Sequence, residues 1–158
     1  EAAREHGTWL VPTLTVMDRI LVHGAQTGIR DFMIENVQER TNKHHEYVKY
    51  AYDIGANVAC GTDAGSLLTP HGSGGREIDQ FVKCGLTPLQ AIEVGTRDTA
   101  KLLQSTDTGS IEVGKKGDIV VVEGDILADI RRLEVAGNMR DVMVADARVA
   151  SAGKPILN

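Results

Sequence analysis

The feature that most constrains this chain is an apolar run that opens into a glycine-flanked acidic turn. Ala56-Asn57-Val58-Ala59-Cys60 is followed at once by Gly61-Thr62-Asp63-Ala64-Gly65. The first segment is β-prone. In α/β proteins the C-terminal ends of strands are where ligands and catalytic groups sit. A carboxylate in that place can bind a metal or take a proton from a metal-bound water. From the residues alone, Asp63 could equally cap the next helix or shape the turn.

The surrounding pattern is strand, helix, strand, helix. Thr8 to Leu14 is a short apolar run expected as a strand, with Pro12 marking its end. Thr15 to Ile29 is expected as a loop. Asp31 to Ile54 carries Met33, Ile34, Val37, Thr41, His44, Val48 and Ala51 at helical spacing, which predicts a long helix with one mostly buried stripe. Gly55 is its expected C-cap. After strand 56–60 and turn 61–65, a Gly/Ser/Pro-rich loop is expected over Ser66 to Gly75. A helix follows over Arg76 to Cys84, stopped by Gly85. Thr87-Pro88-Leu89-Gln90 is a helix start with Thr as N-cap, Pro at the first position and Gln closing a capping box. That helix is expected to end near Val94, and Thr96 to cap another that ends near Leu103.

From Thr108 the texture changes. Gly109 to Gly114 and Asp118 to Glu123 are strand-like, with tight turns. Asp129 to Glu134 suggests a helical turn, and Met139 to Val149 a hairpin turning near Asp146-Ala147. The α/β part therefore gives way to a β part around Gln104 to Thr108.

Two strands cannot make a buried parallel sheet, because both faces and both edges need cover. The chain also opens without Met, inside what looks like the last turns of a helix ending at Gly7. It is therefore expected to be the C-terminal piece of a longer protein.

Composition excludes some classes. With 158 residues, 42% hydrophobic and 25% charged, the chain fits an ordinary globular protein. A net charge of -5 argues against a nucleic-acid partner, which needs a basic face. No apolar run is long enough for a membrane span, and no signal peptide is visible. Cys60 and Cys84 form no metal-binding spacing and are expected as free, buried thiols in a reducing, cytoplasmic setting.

Four segments, in order, resemble the metal-dependent amidohydrolase superfamily. They are GTDAG at 61–65, PHG at 70–72 with GREI at 75–78, GLTPLQAIEVGTRDTAKLL at 85–103, and GSIEVGKKGDIVVVEGDILADIR at 109–131. The closest resemblance is to the imidazolonepropionase-like and Xaa-Pro dipeptidase (prolidase) branch. It implies an α/β fold, the C-terminal portion of a (β/α)8 TIM-like barrel plus strands of a small β-sandwich. Residues 1–105 would supply barrel strands seven and eight with their helices, and residues 106–158 the sandwich segment.

By that resemblance Asp63 ligates a divalent metal, zinc by default in a binuclear centre, and acts as general base. The implied reaction is hydrolysis of C–N amide bonds, plausibly in dipeptides such as Xaa-Pro, by an intact enzyme that is a homo-oligomer. Thr13, with Pro12 and Leu14, would line the pocket at the end of strand seven. His71 in the loop after strand eight would contact substrate, or simply cap that loop. Arg76 would pair a substrate carboxylate, or form a structural ion pair. The family's remaining ligands have no counterpart. None of the five histidines, His6, His23, His44, His45 and His71, forms His-x-His. One carboxylate is not a zinc site, so the piece by itself is expected to be inactive. The alternatives are a cyclic-amide hydrolase of the imidazolonepropionase kind or a deaminase, and a non-catalytic truncated module completed by a partner chain.

Overall fold

The computed structural model describes residues 1–66 and 68–156. Leu67, within the expected 66–75 loop, and Leu157 and Asn158, at the end of the expected sandwich segment, lie outside the described residues.

The short helix α1 (Ala2–Glu5) leads into β1 (Trp9–Leu10). β1 pairs in parallel with β2 (Asn57–Val58), in the register Trp9 to Asn57 and Leu10 to Val58. The parallel pairing is the one expected from the strand–helix–strand order. The paired stretch is shorter than the expected 8–14 run. Thr13 takes a left-handed backbone (φ 47°), and Leu14 already begins a helix.

That helix, α2 (Leu14–His23), is followed by a 3-10 turn (Gly24–Thr27) and occupies most of the segment expected to be a loop. Leu14, Met17 and Leu21 carry the helical spacing that marks it. What starts the helix, however, lies elsewhere in the chain.

The crossover between the strands is α3 (Asp31–Asp53), as its stripe predicts. The stripe is less buried than expected: Val48 alone is fully buried, Ile34, Val37, Thr41, His44 and Ala51 are half-buried, and Met33 at the far end is exposed. Gly55 (φ 76°) ends the helix in a Schellman arrangement. The Gly55 amide donates to the Tyr52 carbonyl and the Ala56 amide to the Ala51 carbonyl, both at 3.0 Å.

α4 (Gly74–Lys83) starts two residues earlier than expected, so Gly74 and Gly75 belong to it rather than to the loop. α5 (Pro88–Glu93) has both halves of its capping box: the Gln90 amide donates to Thr87 Oγ1 and the Thr87 amide to Gln90 Oε1. Thr96 does not cap a new helix. A π-helical turn (Val94–Asp98) runs without a break into α6 (Thr99–Leu102), and Thr96 Oγ1 donates back to the Ile92 carbonyl. Leu14, Val48, Val58, Phe81, Cys84, Leu86, Ala91 and Val94 form the shared core, which joins α2 through α5 with the parallel pair.

The remainder is one four-stranded antiparallel sheet, in the order β3 (Ile119–Val122), β4 (Met139–Val144), β5 (Ala147–Ser151), β6 (Lys154–Pro155). The hairpin turns at Ala145 (φ 48°) and Asp146 (φ 66°), one residue earlier than expected. Gly109 to Gly114 forms no strand; Ile111 and Val113 are among the most exposed side chains, and among the described residues no strand pairs with them. The helical turn at 129–134 is a 3-10 helix (Ile130–Glu134) packed against α4. Gly75 makes that approach possible, because a Cβ there would overlap the Leu133 carbonyl.

Candidate functional site

The two parallel strands point their C-terminal ends in one direction, and the glycine-flanked turn emerges there. The end of β2 is held from below. The Ala59 amide donates to the Leu10 carbonyl at 3.0 Å, across the sheet. The Cys60 amide donates to Thr99 Oγ1 at 2.9 Å. Thr99 Oγ1 in turn donates to the Val94 carbonyl at 2.7 Å. The π-turn places that hydroxyl between the helix and the strand end, satisfying a donor that β2 leaves unpaired.

Gly61 lies against β1's continuation. A Cβ there would come within 2.5 Å of Val11 Cγ1 and 3.8 Å of Thr13 Cγ2. The two strand ends are thus in contact at the base of the turn. Asp63 follows with a left-handed backbone (φ 48°) and an exposed side chain. Its carbonyl accepts from the Ser66 amide at 3.2 Å, and the Gly65 amide donates to the Thr69 carbonyl at 2.8 Å, closing a compact loop. A non-glycine residue in that region is strained and persists where its surroundings enforce it.

Of the other candidates, Thr13 is beside Gly61 and half-buried, so it shares the strand-end region with the turn. His71 is exposed, and its ring reaches the turn: a Cβ on Gly65 would sit 3.7 Å from His71 Nε2. Arg76 is engaged in the structural ion pair that its helix-start position allowed. Nε donates to Asp18 Oδ2 at 2.7 Å and Nη1 to Glu134 Oε2 at 2.8 Å. Burial works against its charge, but the carboxylates of Asp18 and Glu134 outweigh burial and hold its pKa above the ordinary value.

Of the remaining histidines, His23 and His44 have partners on α2. His23 meets Arg19 Nη1 at 3.1 Å, and His44 Nδ1 meets Met17 Sδ at 2.9 Å. Burial lowers the pKa of both His44 and His45. Among the described residues, no group of three or more His, Cys, Asp and Glu could hold a metal ion. These residues therefore do not fit a complete metal centre.

The residue that sequence reasoning missed is Glu77. It is fully buried on α4. Its Oε1 accepts the Leu14 amide at 2.8 Å, and its Oε2 accepts the Thr15 amide at 2.7 Å and the Thr15 hydroxyl at 2.6 Å. Leu14 and Thr15 open α2, whose own N-cap Thr13 makes no side-chain cap bond. A carboxylate from a distant element thus takes over the capping, and its charge suits a helix N-terminus. Burial pushes the Glu77 carboxyl above its ordinary pKa, the bonds from Thr15 and Leu14 oppose that, and the charge of Asp63 adds to the rise. The available signal was a Glu among the apolar positions of a short helix, Ile78 and Phe81 included.

Comparison with known proteins places these features in context. Residues 1–155 match the Amidohydrolase family. An imidazolonepropionase from Deinococcus deserti (strain DSM 17065 / CIP 109153 / LMG 22923 / VCD115) is 33% identical over 98 residues, covering 61% of this chain and 25% of that protein. The crystal structure of a Xaa-Pro dipeptidase with bound methionine in the active site superposes with a TM-score of 0.73 at 29% identity, covering 91% of this chain and 35% of that one. That of a prolidase complexed with N-methylphosphonate-L-proline gives a TM-score of 0.75 at 25% identity, covering 95% of this chain and 37% of that one. The chain spans 25% of the imidazolonepropionase's length and 35% to 37% of these two solved structures.

Proposed function

The chain belongs to the amidohydrolase family, and from that membership we propose that it forms the Asp63-bearing part of a metal-dependent enzyme that hydrolyses C–N amide bonds. The solved relatives support a part of a TIM-barrel-type fold. Within it, residues 1–105 are the barrel portion and residues 106–158 the sandwich segment. The preferred substrates are dipeptides of the Xaa-Pro kind, in keeping with the dipeptidase and prolidase relatives.

The observation that carries this proposal is Asp63 itself. It is an exposed carboxylate on a strained turn at the C-terminal end of a parallel strand, with Thr13 and His71 at the same turn. In this role Asp63 would supply one ligand to a divalent metal, zinc by default, which would activate a water, and Asp63 would hold and pass on that water's proton. The described residues do not complete that centre, so the chain alone is expected to be inactive.

A second reading, cyclic-amide hydrolysis, has its own support in the 33% identity to the imidazolonepropionase. The test is metal content and hydrolysis of Xaa-Pro dipeptides and cyclic amides, on this chain and on the full-length gene product, with Asp63→Asn in the latter. Metal and turnover in the full-length protein alone, abolished by Asp63→Asn, are expected. Turnover that survives Asp63→Asn, or turnover by this chain alone, would overturn the assignment. Which substrate is cleaved separates the two readings.

A further inference from the structure

Glu77 has a place in the fold that capping alone does not account for. Helices are ordinarily capped by their own flanking Ser, Thr, Asp or Asn. Thr13 stands at the N-cap position of α2 yet makes no cap bond, because its backbone has turned left-handed. The donors of that first turn go instead to a carboxylate 62 and 63 residues away, with no exposure to solvent.

The consequence falls on the strand ends. Leu14 and Thr15 directly follow Thr13, so anchoring their amides holds Thr13 at φ 47°. Val11, two residues before Thr13, packs tightly on Gly61, the first residue of the turn that carries Asp63, and Thr13 lies beside it. The chain of linkage runs from Glu77 through Leu14 and Thr15 to Thr13, back along the strand end to Val11, and from Val11 to Gly61. α4 begins just after the loop that closes the same turn, so Glu77 ties its two sides together.

We propose that Glu77 is a positioning residue: its clamp on Leu14 and Thr15 keeps Thr13 left-handed and thereby holds the Asp63 turn in its working geometry. The functional half of this proposal rests on the hydrolytic reading of Asp63 given above. The geometric half does not.

The test uses the full-length gene product with Glu77→Gln, which preserves the side chain's size, studied well below its melting temperature. Amide hydrogen exchange is expected to rise in residues 61–66 as well as in 13–16. Small misplacements of reacting groups cost about 100-fold in rate, so kcat is expected to fall about 10- to 100-fold with KM little changed. Thr13→Gly adopts φ > 0 without strain. In that background the Glu77→Gln loss in kcat is expected to shrink below about threefold, because the conformation no longer needs enforcing. If Glu77→Gln does not fold, Thr15→Val, which removes one donor and leaves the carboxylate, is expected to raise exchange in the same two segments. Unchanged exchange over 61–66, or an equal kcat loss with and without Thr13→Gly, overturns the proposal. Wild-type turnover in Asp63→Asn would instead sink the hydrolytic reading, and the exchange measurement would still decide the clamp.

Discussion

One carboxylate oxygen of Glu77, Oε2, accepts both the amide and the hydroxyl of Thr15, at 2.7 and 2.6 Å, from the opposite end of a strand–helix–strand unit. Such a contact cannot form until α3 and β2 have brought α4 back against α2. It links the two loops at the strand ends to the same buried group.

Its pH dependence has a definite sign. Burial raises the Glu77 carboxyl above its ordinary 4.5, so the folded chain keeps a proton that the unfolded chain has lost. A raised folded pKa contributes stability that is present below the unfolded value and is lost as pH rises through the folded one. We predict that wild-type stability, measured against Glu77→Gln by urea unfolding, declines as pH is raised from about 4 toward neutrality. A wild-type advantage that grows with pH over that window would contradict the assignment.

Thr99 bridges helix and strand with one hydroxyl, accepting from the Cys60 amide and donating to the Val94 carbonyl. Thr99→Val keeps the shape and strands both groups, which predicts a loss of about 1–3 kcal/mol. Thr99→Ser should restore most of it. Urea unfolding of the three proteins is the check; equal stabilities would mean that the bridge contributes nothing.

Cys84 is buried as expected, whereas Cys60 is only half-buried; both thiols are pushed up to about 12, chiefly by burial, with the charge of Glu77 adding to it. Since the thiolate is the reactive form, neither Cys60 nor Cys84 should react with a disulfide reagent at pH 8 in the folded protein. Both should react once it is denatured. Rapid labelling of the native protein would show that a thiol is accessible and ionised.

Much of this molecule was legible in the sequence, for local reasons. The α3 stripe, the Gly55 stop and the Thr87–Gln90 capping box depend on residues within a few positions of one another, and each lies where its pattern puts it. The hairpin over β4 and β5 is local in the same sense, and the parallel pairing of β1 with β2 follows from the helix between them. Asp63 was legible as a carboxylate at a strand end, because its flanking glycines announce the turn.

Tertiary structure decided the rest. The start of α2 is hidden from its local sequence because its cap is Glu77 on another helix. The break expected at Thr96 is a π-turn, whose reward is the Thr99 bond to Cys60, a contact across 39 residues. Gly109 to Gly114 has strand-like composition, yet composition supplies no partner for its amides, and it forms no ladder among the described residues. Arg76 had two open roles until Asp18 and Glu134 were brought to it. Short-range hydrogen bonds and periodic burial are written in neighbouring residues, whereas a buried charge's partner and a strand's neighbour exist only after the chain has closed on itself.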